Sequence, residues 1–399
     1  MKILLLTPFY AIDKQIDLYE DNRAIHYFTK HWVKENCDVT VIHTYFHPLK
    51  QFKKDFLNSL FIKKHRKFYK KLIDGVNVLL YFNRKYNIGL PRLSYFQQFR
   101  ITRDIQNILD DKKRRPDIIV AHFPTLYLKI FRKLNFNYQC PVVGVFHNLD
   151  IQNLKKSKNV MEYRNAIKQE LNAIGFRSKI IEKQFNEYVC KHTKYSFLVY
   201  SGVPNNILQT GCSINVEKSK KMRILYAGKL IHSKNVHTIL EALKRLDDKY
   251  NFEFKIIGDG EKKQSLKKFT KELNFNNNIA YSDQIPRENL FDEMMKSDIF
   301  VMPSINETLG LVYFEAMANG CITIGSRGEG IDGIIEDGVN GFLVEPSNIE
   351  ELTKVFMKIF NLDETEQKFI KQNSINKMKK FTEKNVADMY LQNLKNIIV

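Results

Sequence analysis

Short apolar runs rich in β-branched residues alternate along this chain with longer amphipathic stretches, and this alternation limits the possible folds most strongly. Strands that alternate with helices predict parallel sheets covered by helices on both faces and joined by right-handed crossovers. The 399 residues exceed what one core usually organises and suit two domains of about 200 residues each. The predicted strands are residues 3–6, 39–43, 76–81, 117–121, 141–146, 196–200, 223–226, 252–257, 278–281, 299–302 and 321–324.

Residues 201–221 are rich in Ser, Gly, Pro, Asn and Lys, and a fresh strand follows them. This composition predicts a domain boundary. We expect an N-terminal domain at 1–205, a second domain at 206–380 and an amphipathic helix at 381–399 that packs back on the first domain. Two doubly wound domains of this kind bind ligands at the carboxyl ends of their strands, so we expect a cleft between them.

No apolar run approaches the roughly 18 residues that a membrane-spanning helix needs. The apolar start at residues 1–6 is too short for a signal peptide and predicts a buried strand, so we expect a cytoplasmic protein. The cysteines are scattered and form no CxxC pair, which argues against a disulfide framework and a zinc site. They are Cys37, Cys140, Cys190, Cys212 and Cys321.

Positive charge is concentrated in the first half of the chain. Residues 1–200 contain 36 Lys+Arg and 17 Asp+Glu, whereas residues 201–399 contain 27 of each. The stretch 52–72 mixes lysines and one arginine with Phe, Leu, Ile and Tyr, a pattern typical of contact with an anionic membrane surface. A solvated helix face or flexible loop is the simpler alternative, and nucleic-acid binding is a third.

The segment 298–345 contains the strongest functional pattern: a buried strand, a loop and a helix that begins near Leu309. Leu309, Gly310 and Leu311 offer backbone N–H groups at the positive end of the helix dipole, where a diphosphate binds readily. Glu307 precedes the helix and can reach hydroxyls of a sugar on the outer phosphate. Glu315 lies two turns into the helix and can accept hydrogen bonds from a ribose.

A second segment, 226–235, places a strand end, Gly228 and two lysines in one loop. Lys229 and Lys234 can neutralise a diphosphate leaving group as the sugar–phosphate bond breaks. Two lysines in a chain that contains so many are weak evidence by themselves.

Two further strand ends contribute weaker signals to the predicted donor site. Gly258 lies in a GxG turn after a strand, which accompanies nucleotide contacts and tight turns alike. The loop 281–286 contains Ile285 and can supply backbone contacts to a nucleobase.

Two histidines follow neighbouring strands of the first domain. His122 comes after the strand 117–121 and His147 after the strand 141–146. Both are expected at the same edge of a parallel sheet, where they can bind an acceptor or share a proton. The alternative is that each is a hydrogen-bonded structural residue.

Together these motifs resemble family 4 retaining glycosyltransferases, of the group 1 type found in bacterial cell-surface polysaccharide synthesis. The E-x7-E pattern from Glu307 to Glu315, the flanking EDGVNGFLV run and the Gly228–Lys229–Lys234 pattern carry the resemblance over 223–346. In the first domain only the strand pattern and the runs DIIVAHFP and VFHN match. The family has Arg where this chain has Lys229, and residues 21–23 lack the family's Gly-Gly pair.

The resemblance implies a GT-B fold: two Rossmann-like α/β domains that face an interdomain cleft, with a C-terminal helix crossing back. It also implies a hexosyltransferase that needs no metal and no cofactor beyond its substrate, a UDP- or GDP-linked sugar. Glu307, His122, Lys229 and Lys234 would be catalytic, and His147 would join His122 on the acceptor side. The anomeric configuration would be retained, with the leaving phosphate oxygen as the base.

The expected acceptor is a hydroxyl of a lipid-linked saccharide in capsule, exopolysaccharide or lipopolysaccharide synthesis. The protein would then lie at the inner face of the cell membrane. Three alternatives remain at this level. They are a sugar-nucleotide epimerase with the same fold, a dehydrogenase, against which the lack of a strand–GxGxxG–helix run argues, and a basic nucleic-acid adaptor.

Overall fold

The computed structural model folds into two compact units, each built around one sheet. The structure describes residues 1–10, 23–47, 69–84, 93, 95–113, 115–134, 140–191, 194–209 and 221–398. Unit 1 consists of Met1–Arg177, Ile181–Val199 and Val386–Val399, and unit 2 consists of Ser178–Ile180 and Tyr200–Asn385.

Unit 1 has an eight-stranded sheet in the order β3-β4-β2-β1-β5-β6-β7-β8. Its strands are β1 (Lys2–Thr7), β2 (Asp38–His47), β3 (Tyr69–Ile73), β4 (Val76–Arg84), β5 (Ile118–His122), β6 (Val142–Phe146), β7 (Ala173–Phe176) and β8 (Tyr195–Leu198). The helices of unit 1 that precede the C-terminal helix are α1 (Arg23–Lys34), α2 (Tyr95–Asp110), α3 (Leu128–Phe131), α4 (Asn148–Lys156), α5 (Val160–Glu170) and α6 (Lys179–Tyr188). The first residues of α6 belong to unit 2.

The sheet of unit 1 is parallel except for β3, which pairs antiparallel with β4 at one edge. β1 lies in the interior between β2 and β5, with Ile3 opposite both Val39 and Ile118. Its run of leucines is buried on both faces, as an interior parallel strand requires. The carboxyl ends of β1, β5 and β6 therefore meet at one edge of the sheet.

The C-terminal helix α14 (Glu383–Ile398) packs against α1. Trp32 Nε1 donates to the Ala387 carbonyl at 3.1 Å, and His31 Nε2 lies 2.6 Å from Asp388 Oδ1. The Tyr390 ring meets the Trp32 ring edge-on, with 5.0 Å between centroids. These contacts tie the end of the chain to a helix near its beginning.

Unit 2 has a six-stranded parallel sheet in the order β11-β10-β9-β12-β13-β14. Its strands are β9 (Met222–Ala227), β10 (Phe252–Ile257), β11 (Asn278–Ser282), β12 (Ile299–Val301), β13 (Ile322–Ser326) and β14 (Phe342–Val344). Its helices are α7 (Asn205–Gln209), α8 (Val236–Lys244), α9 (Lys263–Leu273), α10 (Arg287–Met295), α11 (Leu311–Ala318), α12 (Ile349–Phe360) and α13 (Glu364–Met378).

All eleven predicted strands are present, and the α/β fold with two largely parallel sheets is confirmed. The sequence did not reveal β3, β7 and β14. β3 is an edge strand with two lysines, while β7 and β14 are only four and three residues long. Too few residues remain in such strands for a periodic pattern. No helix of the described part of the chain is long and apolar enough to cross a bilayer.

Candidate active site

Lys234 and Glu307 meet at the carboxyl edge of the unit 2 sheet. The Lys234 ammonium forms an ion pair with Glu307 Oε2, although 73 residues separate them. The side chains are 21% and 14% exposed, so the pair is largely shielded from water. Lys234 ends a short 3-10 turn after β9, and Glu307 lies in the loop after β12. The two sequence motifs therefore form one site.

Asn235 fixes this meeting of loops. Its backbone is left-handed (φ 61°), which Asn tolerates better than most residues. Its buried side chain donates to the Pro303 carbonyl at 3.1 Å and to Ser347 Oγ at 3.0 Å, and accepts from Thr238 Oγ1. The sequence did not indicate this role, and the only available signal was an Asn at the end of the segment 226–235, directly after Lys234.

Glu329 supports the Glu307 loop from a third segment. Its carboxylate accepts from the backbone N–H groups of Asn306 at 2.9 Å and Glu307 at 2.7 Å. Gly330 packs so closely that an added Cβ would lie 2.1 Å from the Thr308 carbonyl oxygen. Burial, with the nearby Glu307 charge, raises the pKa of Glu329. Glu329 was also missed, and a glutamate between two glycines was its only sequence signal.

The amino end of α11 lies beside Glu307 and is half-buried. Gly310 has φ +72°, and an added Cβ there would lie 2.5 Å from the Tyr313 ring and 3.3 Å from Glu307 Cγ. Within the described residues, the N–H groups of Leu311 and Val312 have no hydrogen-bond acceptor. The Leu309 side chain is buried in the core, so only its backbone is available to a ligand. An anion site at these backbone groups and the positive end of the helix dipole stays a prediction.

Glu315 points to a different partner from the one the sequence suggested. Its buried carboxylate accepts from Arg287 Nε at 2.7 Å and pairs with Arg287 Nη2. Arg287 opens α10, just after the half-buried Ile285, which packs against the core. The ribose contact of Glu315 and the base contact of Ile285 stay predictions. Arg287 was not singled out in the sequence.

The loops after β9 and β10 pack directly on one another. An added Cβ on Gly258 would lie only 1.9 Å from the Gly228 carbonyl oxygen, and φ at Gly258 is +151°. Tyr226 Oη donates to the Lys229 carbonyl at 2.9 Å and so shapes the loop that holds this exposed lysine. Gly258 is therefore required for close packing of the two loops, and a direct donor contact by Gly228, Gly258 or Lys229 stays a prediction.

His122 and His147 meet at the carboxyl edge of the unit 1 sheet. His122 Nδ1 lies 3.1 Å from His147 Nε2, and its other ring nitrogen lies 3.3 Å from Tyr390 Oη. Burial and the positive charge of Arg177 hold the pKa of both imidazoles well below the usual value. Both rings are therefore neutral at pH 7, and His122 is completely buried. Their acceptor roles stay predictions.

Asp150 closes this network at the start of α4. It accepts from Thr125 Oγ1 at 2.5 Å and from the His147 backbone N–H at 3.0 Å. Burial raises its pKa to about 7. The Phe123 ring stacks on His147 with 3.7 Å between centroids. A small pocket beside Asp150 is lined by Pro8, Phe9, Phe123, Thr125, Leu126, Leu149, Asp150 and Asn153.

Some predicted features lie outside the described residues. They include Asp21 and Asn22 of the first loop, Cys212, residues 210–220 of the expected linker and most of the basic stretch, 52–68. The described end of that stretch forms β3, whose Leu72 is exposed.

The family model described as "Glycosyl transferases group 1" matches residues 213–375. An uncharacterized glycosyltransferase of Methanocaldococcus jannaschii is 26% identical over 273 residues, 67% of this chain and 71% of that protein. The lipopolysaccharide core biosynthesis glycosyltransferase LpsE of Rhizobium meliloti is 26% identical over 196 residues, 48% of this chain and 56% of LpsE.

Solved structures match the fold over nearly the whole chain. The Anabaena protein HepE, solved with UDP and glucose, superposes with a TM-score of 0.66 at 15% identity and covers 99% of this chain and 100% of HepE. A trehalose-phosphate synthase of Burkholderia xenovorans gives 0.72 at 13% identity, with 100% and 99% covered. Residues 213–375 thus belong to the group 1 glycosyltransferases, and the chain is a glycosyltransferase with the GT-B fold.

Proposed function

We propose that this enzyme transfers a hexose from a UDP- or GDP-linked sugar to a hydroxyl of a lipid-linked saccharide, with retention of the anomeric configuration. The observation that carries this proposal is the Lys234–Glu307 pair beside the amino end of α11, whose Leu311 and Val312 N–H groups have no acceptor among the described residues. A cation, two N–H groups and a carboxylate are complementary to a diphosphate joined to a sugar.

The donor would occupy unit 2 in an extended arrangement. Its diphosphate would contact Lys234 and the N–H groups of Leu311 and Val312, and its sugar hydroxyls would bind the Glu307 carboxylate. Lys229 would add a second ammonium near the leaving oxygen. The bound UDP and glucose of HepE support this class of donor by analogy of fold.

Catalysis would be electrostatic and would need no metal. In the transition state negative charge grows on the phosphate oxygen that leaves the sugar. A fixed ammonium at Lys234 and the dipole of α11 would stabilise that charge. The same oxygen would accept the proton of the attacking hydroxyl, which would then enter from the face that the diphosphate leaves. No side chain would be needed as a covalent nucleophile.

The acceptor would bind unit 1 near the pocket beside Asp150. The half-buried neutral His147 and the aromatic rings at that edge suit sugar hydroxyls and the apolar faces of pyranose rings, whereas His122 is completely buried and hydrogen-bonds to His147. LpsE, which acts in lipopolysaccharide core biosynthesis by name, supports a cell-surface saccharide as the class of acceptor. The excess of basic residues in 1–200 supports work at the anionic inner surface of the cell membrane.

Thermal-shift measurements with UDP-, GDP- and ADP-sugars test the donor. One donor class is expected to raise the melting temperature of the full chain, and K234M is expected to abolish that shift. K377M, which removes a lysine paired with Glu336 elsewhere in unit 2, is the matched control and should retain it. No shift with any nucleotide sugar would contradict the proposal.

Product analysis then separates transfer from isomerisation. A transferase releases nucleoside diphosphate in proportion to a lipid-linked acceptor, and the new bond keeps the donor's anomeric configuration by NMR. Conversion of the nucleotide sugar into an isomer without acceptor would identify an epimerase instead.

A further inference from the structure

The first turn of α2 presents three aromatic side chains to water. Tyr95, Phe96 and Phe99 are 78%, 72% and 56% exposed, whereas Ile101 and Ile105 on the same helix are buried. At about 100° per residue, the three rings lie within one sector of about 100°. Elsewhere in the described residues, no two exposed large apolar side chains lie within four positions of each other along the chain. A cluster of this kind marks an interaction surface.

Basic side chains surround these rings. Lys133 Nζ lies 4.5 Å from the centroid of the Tyr95 ring. Arg103, one turn beyond Phe99 on the same face, has a largely exposed side chain. Lys129 of the short helix α3, which packs against α2, is also exposed, and so is Arg132 directly after α3. We call these rings and cations the α2 patch.

Acidic groups offset only part of this charge. Asp104 accepts from Tyr81 Oη at 2.7 Å and forms an ion pair with Arg103 Nη2 at 3.4 Å, while Asp110 lies at the far end of α2. Residues 95–134 contain nine Lys+Arg and four Asp+Glu. Aromatic rings within a basic rim match the interface of an anionic bilayer, where rings enter among the head groups and cations meet lipid phosphates.

We propose that the α2 patch docks this enzyme on an anionic lipid bilayer, with the rings of Tyr95, Phe96 and Phe99 inserted at the head-group level. The proposal rests on the proposed function, because a lipid-linked acceptor gives the enzyme a reason to bind a membrane. It differs from the expectation for 52–72, because the rings and cations belong to α2, to α3 and to the two residues after α3.

Co-sedimentation of the full chain with phosphatidylcholine vesicles containing 30% phosphatidylglycerol (a probe composition of about one anionic lipid in three) tests the surface. The wild type should bind these vesicles, less at high salt and less when phosphatidylglycerol is absent. F96S/F99S should weaken binding at least about tenfold, and R103Q/K133Q severalfold. F369S is the matched control, because Phe369 is 61% exposed on α13, and it should bind like the wild type.

A fluorescent residue reports insertion directly. The chain has one tryptophan, Trp32, which is completely buried, so a second indole can be followed almost alone. F96W emission should shift to the blue and lose acrylamide quenching when anionic vesicles are added, whereas F369W emission should not change. Equal vesicle binding by F96S/F99S and wild type, or an unshifted F96W spectrum, would overturn the proposal.

Sedimentation velocity and the nucleotide-sugar thermal shift distinguish membrane docking from self-association and from a failure of donor binding. Sedimentation velocity without vesicles should show the same species for wild type and F96S/F99S. A wild-type oligomer lost in that variant would make the patch a self-association surface and refute the membrane assignment. The nucleotide-sugar thermal shift should be unchanged in F96S/F99S, because donor binding belongs to unit 2. If no donor binds while vesicle binding behaves as expected, the proposed function fails and the docking surface stands.

Discussion

Removing the Glu307 carboxylate should strengthen the binding of a free nucleoside diphosphate. Lys234 is neutralised by its ion pair with Glu307, and both side chains are more than three-quarters shielded from water. A diphosphate must therefore compete with Glu307 for the ammonium and also approach a carboxylate of like charge. E307Q keeps the size of the side chain and removes both obstacles.

The size of the effect follows from the burial of the pair. Unit charges about 4 Å apart interact by about 4 kcal/mol at an effective dielectric constant of about 20. Exposed pairs are worth only about 0.2–1 kcal/mol in double-mutant cycles, and breaking fully buried pairs costs about 3–5 kcal/mol. Because the Lys234–Glu307 pair is of intermediate burial, we expect E307Q to gain about 1–2 kcal/mol in the free energy of diphosphate binding, which is about 5- to 30-fold tighter binding.

Isothermal titration calorimetry with UDP, GDP and ADP measures this gain, and a transfer assay measures its functional cost. E307Q should bind the preferred diphosphate more tightly but transfer sugar at least about tenfold more slowly, because the sugar hydroxyls lose a charged acceptor. E336Q is the control, because Glu336 forms a 2.7 Å ion pair with Lys377 elsewhere in unit 2. It should change neither quantity.

Equal or weaker diphosphate binding by E307Q would refute this reasoning. Lys234 would then not be the cation that receives the diphosphate, or Glu307 would contribute to the phosphate site through its charge. K234M separates these cases, because it should abolish binding only if the ammonium contacts the phosphates.

Three further changes have measurable outcomes. E329Q should lower the free energy of unfolding by about 1–3 kcal/mol in urea, because a charged acceptor of two backbone N–H groups is lost. The pKa of Asp150 rises to about 7 on folding, so the native state keeps a proton above pH 5 that the unfolded chain has already lost. The free energy of unfolding should therefore fall by about 2–3 kcal/mol from pH 5 to pH 8, and D150N should flatten this pH dependence. G258A should lower the free energy of unfolding by more than about 2 kcal/mol, because the added Cβ would meet backbone atoms. G328A, at φ +73° but with open space around it, should lower it by about 1 kcal/mol, as measured by thermal melting.

The fold was predictable because interior parallel strands are buried on both faces. Such strands read as continuous apolar runs, and β1 and β9 are examples. The edge strand β3 has no such run, since one side of it faces water and its lysines are tolerated there. The three-residue β14 is defined by its pairing with β13, which the local sequence does not encode.

The site was predictable only where a motif carried its own local geometry. Lys234 and Glu307 each follow a strand, and parallel strands bring such positions to one edge. Glu329 and Arg287 depend on contacts between separate loops, for which the sequence has no periodic signal. The burial of His122 depends partly on Tyr390, which lies 268 residues further along the chain.

The charged groups of the candidate site of unit 2 neutralise one another. Lys234 is paired with Glu307, Arg287 with Glu315, and the N–H groups of residues 306 and 307 with the Glu329 carboxylate. Residues 201–399 likewise carry no formal excess of charge. On the proposed function, a diphosphate would therefore bind by exchange of partners and not by simple addition to a positive pocket, since each cation that it gained would leave an acid behind. The carboxylate released from Lys234 would then accept hydrogen bonds from the sugar, so the same exchange that admitted the phosphates would also favour a donor with its sugar attached.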